Sequence, residues 1–348
     1  MSKVSLADVA ARAGVSLATV DRAANGRPGV SQRTIEKIRR AAAELNYRKS
    51  GGLGASGEVP LSMLVAMPVA RSFFFKDLVS ELKASRNYRP DFAANLSFLY
   101  FEPDDTSFPG QLAARALAGE FDAVAVFGAN FPGMKNAIHT IKKAGIKVIC
   151  IISDLDGTLR DAFVGQDNIA AGRTAATLFA RYCSAGSGQV QLMSGYLHLN
   201  DQEERVEAFQ EHLRKIAPQY RCRIREFGDG NNERTDALTR KFLMGTRNPA
   251  GIYGCGGGHV GIIRALAETG KPKGSAVVVH DLTEQSGEAL RTGLVDCVID
   301  QSVAQVARAC IRKAHFLVRS HPTPGFQDRI NIGIYIAENV PDDISMDA

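Results

Sequence analysis

No stretch of the 348 residues stays apolar over the roughly 18 positions that a membrane span requires. The first residues also lack the apolar core of a secretory signal, so the expectation is a cytoplasmic protein with no membrane partner. The six cysteines, Cys150, Cys183, Cys222, Cys255, Cys297 and Cys310, are scattered without a C-x-x-C pair. Most sit in apolar settings and read as buried, reduced thiols, which argues against zinc and disulfide frameworks. There is no repeat of fixed short period and no low-complexity tract. No G-x-S-x-G nucleophile elbow is present, and His259, His280 and Glu284 lack the spacing of a metal or nucleophile set. No metal, no cofactor and no catalytic residue is expected. At 45% hydrophobic and 23% charged, the chain has room for two or three globular domains.

Net charge is confined to one end. Residues 1–50 hold ten lysines and arginines against four acids, a net of +6, whereas the whole chain carries +5. The basic character therefore belongs to this segment alone, as expected of a nucleic-acid footprint and not of a plain protein-interaction module. Ser5 and Asp8 form an S-x-x-D capping box, with Leu6, Val9, Ala10 and Ala13 at helical spacing before Gly14. Ser16 caps a second helix running to about Asn25, and Ser31 caps a third with Ile35, Ile38, Ala42 and Leu45 inward. Two short helices across so tight a turn make a helix-turn-helix, whose second helix enters the major groove.

Val20 and Ala24 face inward with Val15, which leaves Leu17, Ala18, Asp21 and Arg22 on the face toward base edges. Arg22 can fork onto guanine, Leu17 and Ala18 can meet thymine methyls, and Asp21 can accept from cytosine or orient Arg22. Ser16, Thr19 and Asn25 are placed as phosphate hydrogen-bonders, and the capping Ser5 and Ser31 are also expected at the DNA.

The run S-L-A-D-V-A-A-R-A-G-V-S-x-A-T-V-x-R-x-x-N-G-R-P-G-V-S-x-x-T, closing with A-A-E-L-N-Y, resembles the headpiece of the lac repressor (LacI-type) family of bacterial regulators. It departs from the family at Asp21, where Ser is usual, and at Ala23 and Ala24, where larger aliphatics are usual. The resemblance implies a near-palindromic operator DNA read by a homodimer or a dimer of dimers. It also implies a hinge helix wedging a leucine into the minor groove. The linker over residues 50–60 offers only Leu53 for that role, and Gly51, Gly52, Gly54 and Gly57 each oppose a helix by about 1 kcal/mol.

From Leu61 apolar strands alternate with helices. Strands are predicted over Leu61–Met67, Leu96–Tyr100, Ala123–Phe127, Lys147–Ile152, Gln189–Met193, Arg223–Phe227, Gly251–Gly254, Ala276–His280 and Asp296–Ile299. This alternation implies an α/β fold of two doubly wound parallel sheets, with ligands at the carboxyl ends of strands. The segments A-F-V-G-Q-D-N-I-A-A-G-R-T-A-A (162–176), E-E-R-V-E-A-F (203–209), H-D-L-T and V-I-D-Q resemble the periplasmic sugar-binding fold that the family uses as its effector domain. The expected organisation is a headpiece over 1–49, a linker over 50–60 and an effector domain over 61–340. Its lobe 1 would take about 61–164 and 301–324, and its lobe 2 about 165–300 and 325–340. The chain would cross near Gly165, Ile299 and Gly325.

The resemblance implies a small sugar or polyol effector in the cleft between the lobes. One of Phe73, Phe74 and Phe75 would stack on its face, the others being core. Asp154, Arg160, Asp281 and Gln301 end or follow strands, and Arg205 begins a helix after the loop over residues 196–201 and could clamp hydroxyls at two points. All offer the groups that satisfy hydroxyls. Asp167 and Asn168 are either contacts or caps of the helix that follows. The expected protein is thus a sugar-responsive regulator, a repressor. One motif points elsewhere. Gly256-x-Gly258-x-x-Gly261 follows a strand and opens a helix, with Asp281 twenty residues beyond, the order and spacing of a dinucleotide fingerprint. It keeps an NAD(P)-dependent oxidoreductase as the alternative.

Overall fold

Ser5, Ser16 and Ser31 each start a helix by turning a hydroxyl back on the backbone. In the computed structural model, which describes residues 5–24, 30–45, 60–69, 73–86, 92–102, 105–155, 159–195, 199–228, 230–319, 329–342 and 344, these helices are α1 (Leu6–Ala13), α2 (Leu17–Ala24) and α3 (Gln32–Glu44). Ser5 accepts from the Asp8 amide at 3.3 Å while Asp8 Oδ2 accepts from the Ser5 amide at 2.7 Å. Ser16 accepts from the Thr19 amide at 3.1 Å and Ser31 from that of Thr34 at 3.2 Å. Val9, Ala10, Val20, Ile38 and Ala41 close a small core, flanked by Leu6, Val15, Ala23 and Leu45. An Arg12–Glu44 ion pair ties α1 to α3. The side chain of Ala24 lies outside the described residues.

This headpiece falls within one compact unit, and a second takes up nearly all residues from Leu61 onward. The second unit runs β1 (Leu61–Pro68), α4 (Phe73–Ser85), β2 (Ala94–Phe101), α5 (Phe108–Ala118), β3 (Ala123–Phe127), α6 (Met134–Lys143), β4 (Lys147–Ile151), β5 (Ala162–Gln166) and α7 (Asn168–Tyr182). It continues with β6 (Gly188–Ser194), α8 (Asn200–Ile216), β7 (Tyr220–Phe227), α9 (Asn232–Gly245), β8 (Pro249–Gly254), α10 (His259–Thr269), β9 (Ala276–His280) and α11 (Glu284–Arg291). It ends with β10 (Cys297–Asp300), α12 (Val303–Arg319), β11 (Arg329–Ile330) and β12 (Gly333–Tyr335).

Two six-stranded sheets result, ordered β2-β1-β3-β4-β5-β11 and β7-β6-β8-β9-β10-β12. All pairings are parallel except β10 with β12. Strands β1, β3 and β4 and, in the other sheet, β8 and β9 are buried almost throughout, the mark of parallel strands covered on both faces. The nine predicted strands are present. Three further strands, β5 and the short β11 and β12, were not among them. The third crossing is also displaced: Arg329 and Ile330 still pair with β5, so the chain changes sheets between Ile330 and Gly333 instead of near Gly325.

The two sheets repeat one plan that the sequence conceals. In each, the fourth strand is clamped by an aspartate just before or at the start of the fifth. Asp161 Oδ2 accepts from the Val148 amide at 2.8 Å and Asp296 Oδ2 from the Val277 amide at 2.7 Å. Each aspartate pairs with a lysine, Lys142 at 3.1 Å and Lys271 at 2.7 Å. In each sheet the first strand lies between the second and third, so the order reverses between β1 and β3 and between β6 and β8. Loops leaving those carboxyl ends diverge and leave a crevice.

Candidate nucleic-acid interface and ligand cleft

On α2, Leu17 is 52% exposed, and Ala18 and Arg22 are exposed beside it while Val20 is buried. An exposed leucine next to an exposed arginine on a capped two-turn helix is a surface shaped for groove contact. Asp21 is half-buried on the same helix. The hydroxyls of Ser16 and Thr19 lie 2.8 Å apart, and both remain at the helix start where a phosphate would meet backbone amides. Ser5 and Ser31 are exposed caps. Asn25 and Leu53, both expected at the DNA, lie outside the described residues.

In the second unit the carboxyl ends of the two sheets face a shared cavity. One wall is apolar: Phe74 and Phe75 from the first turn of α4, Phe127 at the end of β3, and Ile152 after β4. Phe75 meets Phe127 edge to face at 5.3 Å between centroids. The opposite wall is polar: Asp201, Gln202 and Arg205 from α8, Gly256 and Gly257 after β8, Asp281 after β9 and Gln301 after β10.

Arg205 is fully buried and organises the polar wall. Its Nε donates to Asn168 Oδ1 at 2.9 Å, Nη1 to the Cys255 carbonyl at 2.9 Å and Nη2 to Gln301 Oε1 at 2.6 Å. Nη2 also lies 3.2 Å from Asp201 Oδ2, one helical turn earlier on α8. Gln301 Nε2 in turn donates to Asp281 Oδ1 at 2.7 Å. Asp201 Oδ1 is buried without a partner. A buried acceptor left unsatisfied costs about 1 to 3 kcal/mol, which a ligand hydroxyl at that point would recover.

Backbone strain marks the same place. Ile152 at φ 64° and Asp281 at φ 72° are left-handed although neither is glycine, and they hold the same position after the fourth strand of each sheet. Their amides donate to the fifth strands alike, to Val164 at 3.0 Å and Ile299 at 2.9 Å. For a β-branched isoleucine this conformation costs roughly 1 to 3 kcal/mol, and such outliers gather at ligand sites. Beside the cavity, residues outside its lining also touch directly. Asn200 Nδ2 donates to the Asp154 carbonyl at 2.9 Å, and Asn130 Nδ2 donates to Asn200 Oδ1 at 2.5 Å.

Of the expected cleft residues, Phe74, Phe75, Arg205, Asp281 and Gln301 come together. Asp154 and Arg160 do not line the cavity. They form a two-point pair with each other at 2.5 and 2.6 Å, because both lie on the loop between β4 and β5 where each is the other's nearest opposite charge. Asp167 is the cap of α7, its Oδ1 accepting from the Ala170 amide at 2.8 Å, whereas Asn168 turns inward to Arg205. Asp201, Gln202, Phe127 and Ile152 were missed. A signal existed for Asp201, which stands four residues before Arg205 on one helix and must share its face.

The glycine motif has a packing role. Gly258 adopts φ 104° at the start of α10, where a Cβ would fall 2.5 Å from Thr235 Oγ1, and a Cβ on Gly261 would fall 2.2 Å from the Asn232 carbonyl. These glycines let α9 and α10 approach. The loop also follows the third strand of its sheet, whereas the dinucleotide fingerprint occupies the first strand-to-helix turn. The cysteines are free, five of them buried, and burial pushes the thiols of Cys150, Cys222, Cys297 and Cys310 up to about 12.

Burial pushes the Asp281 carboxyl up to about 7, against the pull of Gln301 and Arg205. Between its ordinary value of 3.8 and about 7 the folded chain keeps a proton that the unfolded chain releases. The contribution of this group is therefore fullest at the acid end and is lost as pH rises through about 7. His259, pushed down to about 4 by burial, acts in the opposite sense, losing its contribution as pH falls below 6.5. The informative quantity is wild type minus Asp281→Asn: their difference in unfolding free energy should fall with rising pH across this window, with a slope approaching one proton. A flat difference would show that Asp281 is not protonated in the folded chain.

Residues 5–50 match the family model described as bacterial regulatory proteins, lacI family, and residues 87–321 match that of the periplasmic binding protein domain. No curated protein matches at a significant level. Among solved structures, GanP, a glucose-galactose binding protein from Geobacillus stearothermophilus, is 16% identical over 82% of this chain and 100% of its own, with a TM-score of 0.72. A carbohydrate transporter solute binding protein from Agrobacterium radiobacter, in complex with D-arabinose, is 16% identical over 82% of this chain and 97% of its own, at 0.73. An ABC transporter solute binding protein from Agrobacterium vitis, bound with α-D-tagatopyranose, is 17% identical over 80% and 96%, at 0.70. At such identities the likeness is one of fold.

Proposed function

Since this chain belongs to the periplasmic binding protein domain family and carries a lacI-family headpiece, we propose that it is a cytoplasmic transcription repressor whose operator affinity is set by a small sugar or polyol. The observation that carries this reading is the cavity between the sheets, where a phenylalanine wall faces buried Asp201, Arg205, Asp281 and Gln301. Aromatic faces cover the C–H surface of a sugar ring, and carboxylate, amide and guanidinium satisfy its hydroxyls. No helix among the described residues is long and apolar enough to cross a membrane. Nothing in the wall calls for a reaction, and we read the chain as a regulator and not an enzyme.

A homodimer, alone or paired as a dimer of dimers, places two headpieces on a near-palindrome, since one contacts too few bases to be selective. Ligand binds between the lobes, favours one lobe arrangement and shifts operator affinity by its differential affinity for the two states. The test is a thermal-shift screen of pentoses, hexoses, polyols, purines and nicotinamide cofactors, followed by operator binding with and without the hit. A ligand at 100 times its dissociation constant adds about 2.7 kcal/mol of stability. A hit that leaves operator affinity unchanged would overturn the regulatory reading, and a hit with nicotinamide cofactors alone would restore the oxidoreductase.

Arg22→Ala is expected to relax discrimination at one base pair per half-site by about 1 to 3 kcal/mol. Competition among operator variants measures it, and equal loss on every sequence would mean that Arg22 touches only phosphate.

A further inference from the structure

The charge and hydrogen-bond inventory of the cavity narrows the ligand further. Among the described residues lining it, Arg205 is the only cation, and Asp201 and Asp281 are the two acids. A guanidinium has five N–H donors. Those of Arg205 go to Asn168, the Cys255 carbonyl, Gln301 and Asp201, which leaves at most one N–H on Nη1. Two parallel donors are needed to grip a phosphate or carboxylate as a fork, and Arg205 cannot offer them. The amino end of α8 would favour an anion by itself, but Asp201 in its first turn already places a carboxylate there. Asp201 Oδ1, buried and unpartnered on the cavity wall, requires a donor from the ligand, and an acidic group would present it with another acceptor. Glu204, half-buried on the same helix and bonded to Asn168, adds to the negative side.

We propose that this cavity takes an uncharged, hydroxyl-rich ligand that donates to Asp201 Oδ1, and that it rejects the phosphorylated and carboxylated counterparts of that ligand. The inference rests on the reading of the cavity as the effector site. Repulsion at a desolvated like charge with no compensating fork makes the acidic counterparts weaker by at least about 100-fold. Asp201→Asn relieves that repulsion and frees part of Arg205, so the ratio of neutral to acidic affinities falls by about tenfold or more while acidic ligands gain in absolute affinity.

Calorimetric titration of the full chain tests this with matched sets: glucose, its phosphate ester and glucuronate; ribose and its phosphate ester; inositol and its phosphate. Selective binding of a neutral member, with a ratio that falls in Asp201→Asn, is the expected result. Where that variant does not fold, Asp281→Asn replaces it, titrated above pH 7 where the Asp281 carboxyl is charged, with the same expected fall. A phosphate ester or uronic acid binding as well as its neutral partner would overturn the charge inference and leave the effector cavity standing. Binding of none of the three classes would remove the cavity reading, and this inference with it.

Discussion

Arg205→Met is expected to destabilise the second unit by about 3 to 5 kcal/mol, since it leaves the Asp201 carboxylate buried without its counter-charge. Asp201 is itself raised by burial, with Arg205 the leading influence holding it down. The same change strips Asn168, Gln301 and the Cys255 carbonyl of a donor at once. Denaturant titration measures the loss, and ligand-induced stabilisation should vanish with it. A second substitution separates the two effects. Asp201→Leu in the Arg205→Met background removes the orphaned charge, and stability should recover in part, because an apolar pair of similar volume is often as stable as a buried ion pair. Ligand response should not recover. Loss of less than about 1 kcal/mol in the single variant would mean that water reaches Asp201.

Gly172→Ala is expected to destabilise although it lies inside a helix. On backbone propensity alone the change would add about 1 kcal/mol. Helices α7 and α8 cross here at backbone contact, however, and the new Cβ would fall 2.3 Å from the Arg205 carbonyl and 2.9 Å from Ala208 Cβ. A carbonyl in the middle of a helix cannot step aside as a side-chain tip would, so α7 and α8 must part. Overpacking of this kind costs about 1 to 3 kcal/mol. Separation would also draw Arg205 away from Asn168, which sits one turn before Gly172 on α7, and weaken ligand binding. A lower melting temperature together with reduced ligand affinity is the expected pair of results. A raised melting temperature would show that the contact yields freely and that propensity wins.

The amino-acid order by itself determined the elements and their kind. Capping serines at residues 5, 16 and 31, inward Val20 and outward Leu17 and Arg22 are consequences of side-chain chemistry within a few residues, and local chemistry is legible in sequence. The same holds for strands such as Ala123–Phe127 and Ala276–His280, whose unbroken burial follows from unbroken apolarity. Asp281 and Gln301 were recognisable because strand ends in an α/β sheet must face a crevice, and Arg205 because it stands near the start of the helix that follows such a strand. Three things were decided only in the tertiary structure. Asp154 and Arg160 left the cleft because each found the other across a short loop, a pairing that depends on distance in space. Gly258 and Gly261 serve the close approach of α9 and α10, although the spacing of the motif alone matches a phosphate loop. Strands β11 and β12 are only two and three residues long and their partners lie far back along the chain, which also hid the return to β5 before the third crossing. The unpartnered oxygen of Asp201 belongs with these. A helix position tells which way a side chain points, but only the packed lobes determine which of its atoms are left without a donor.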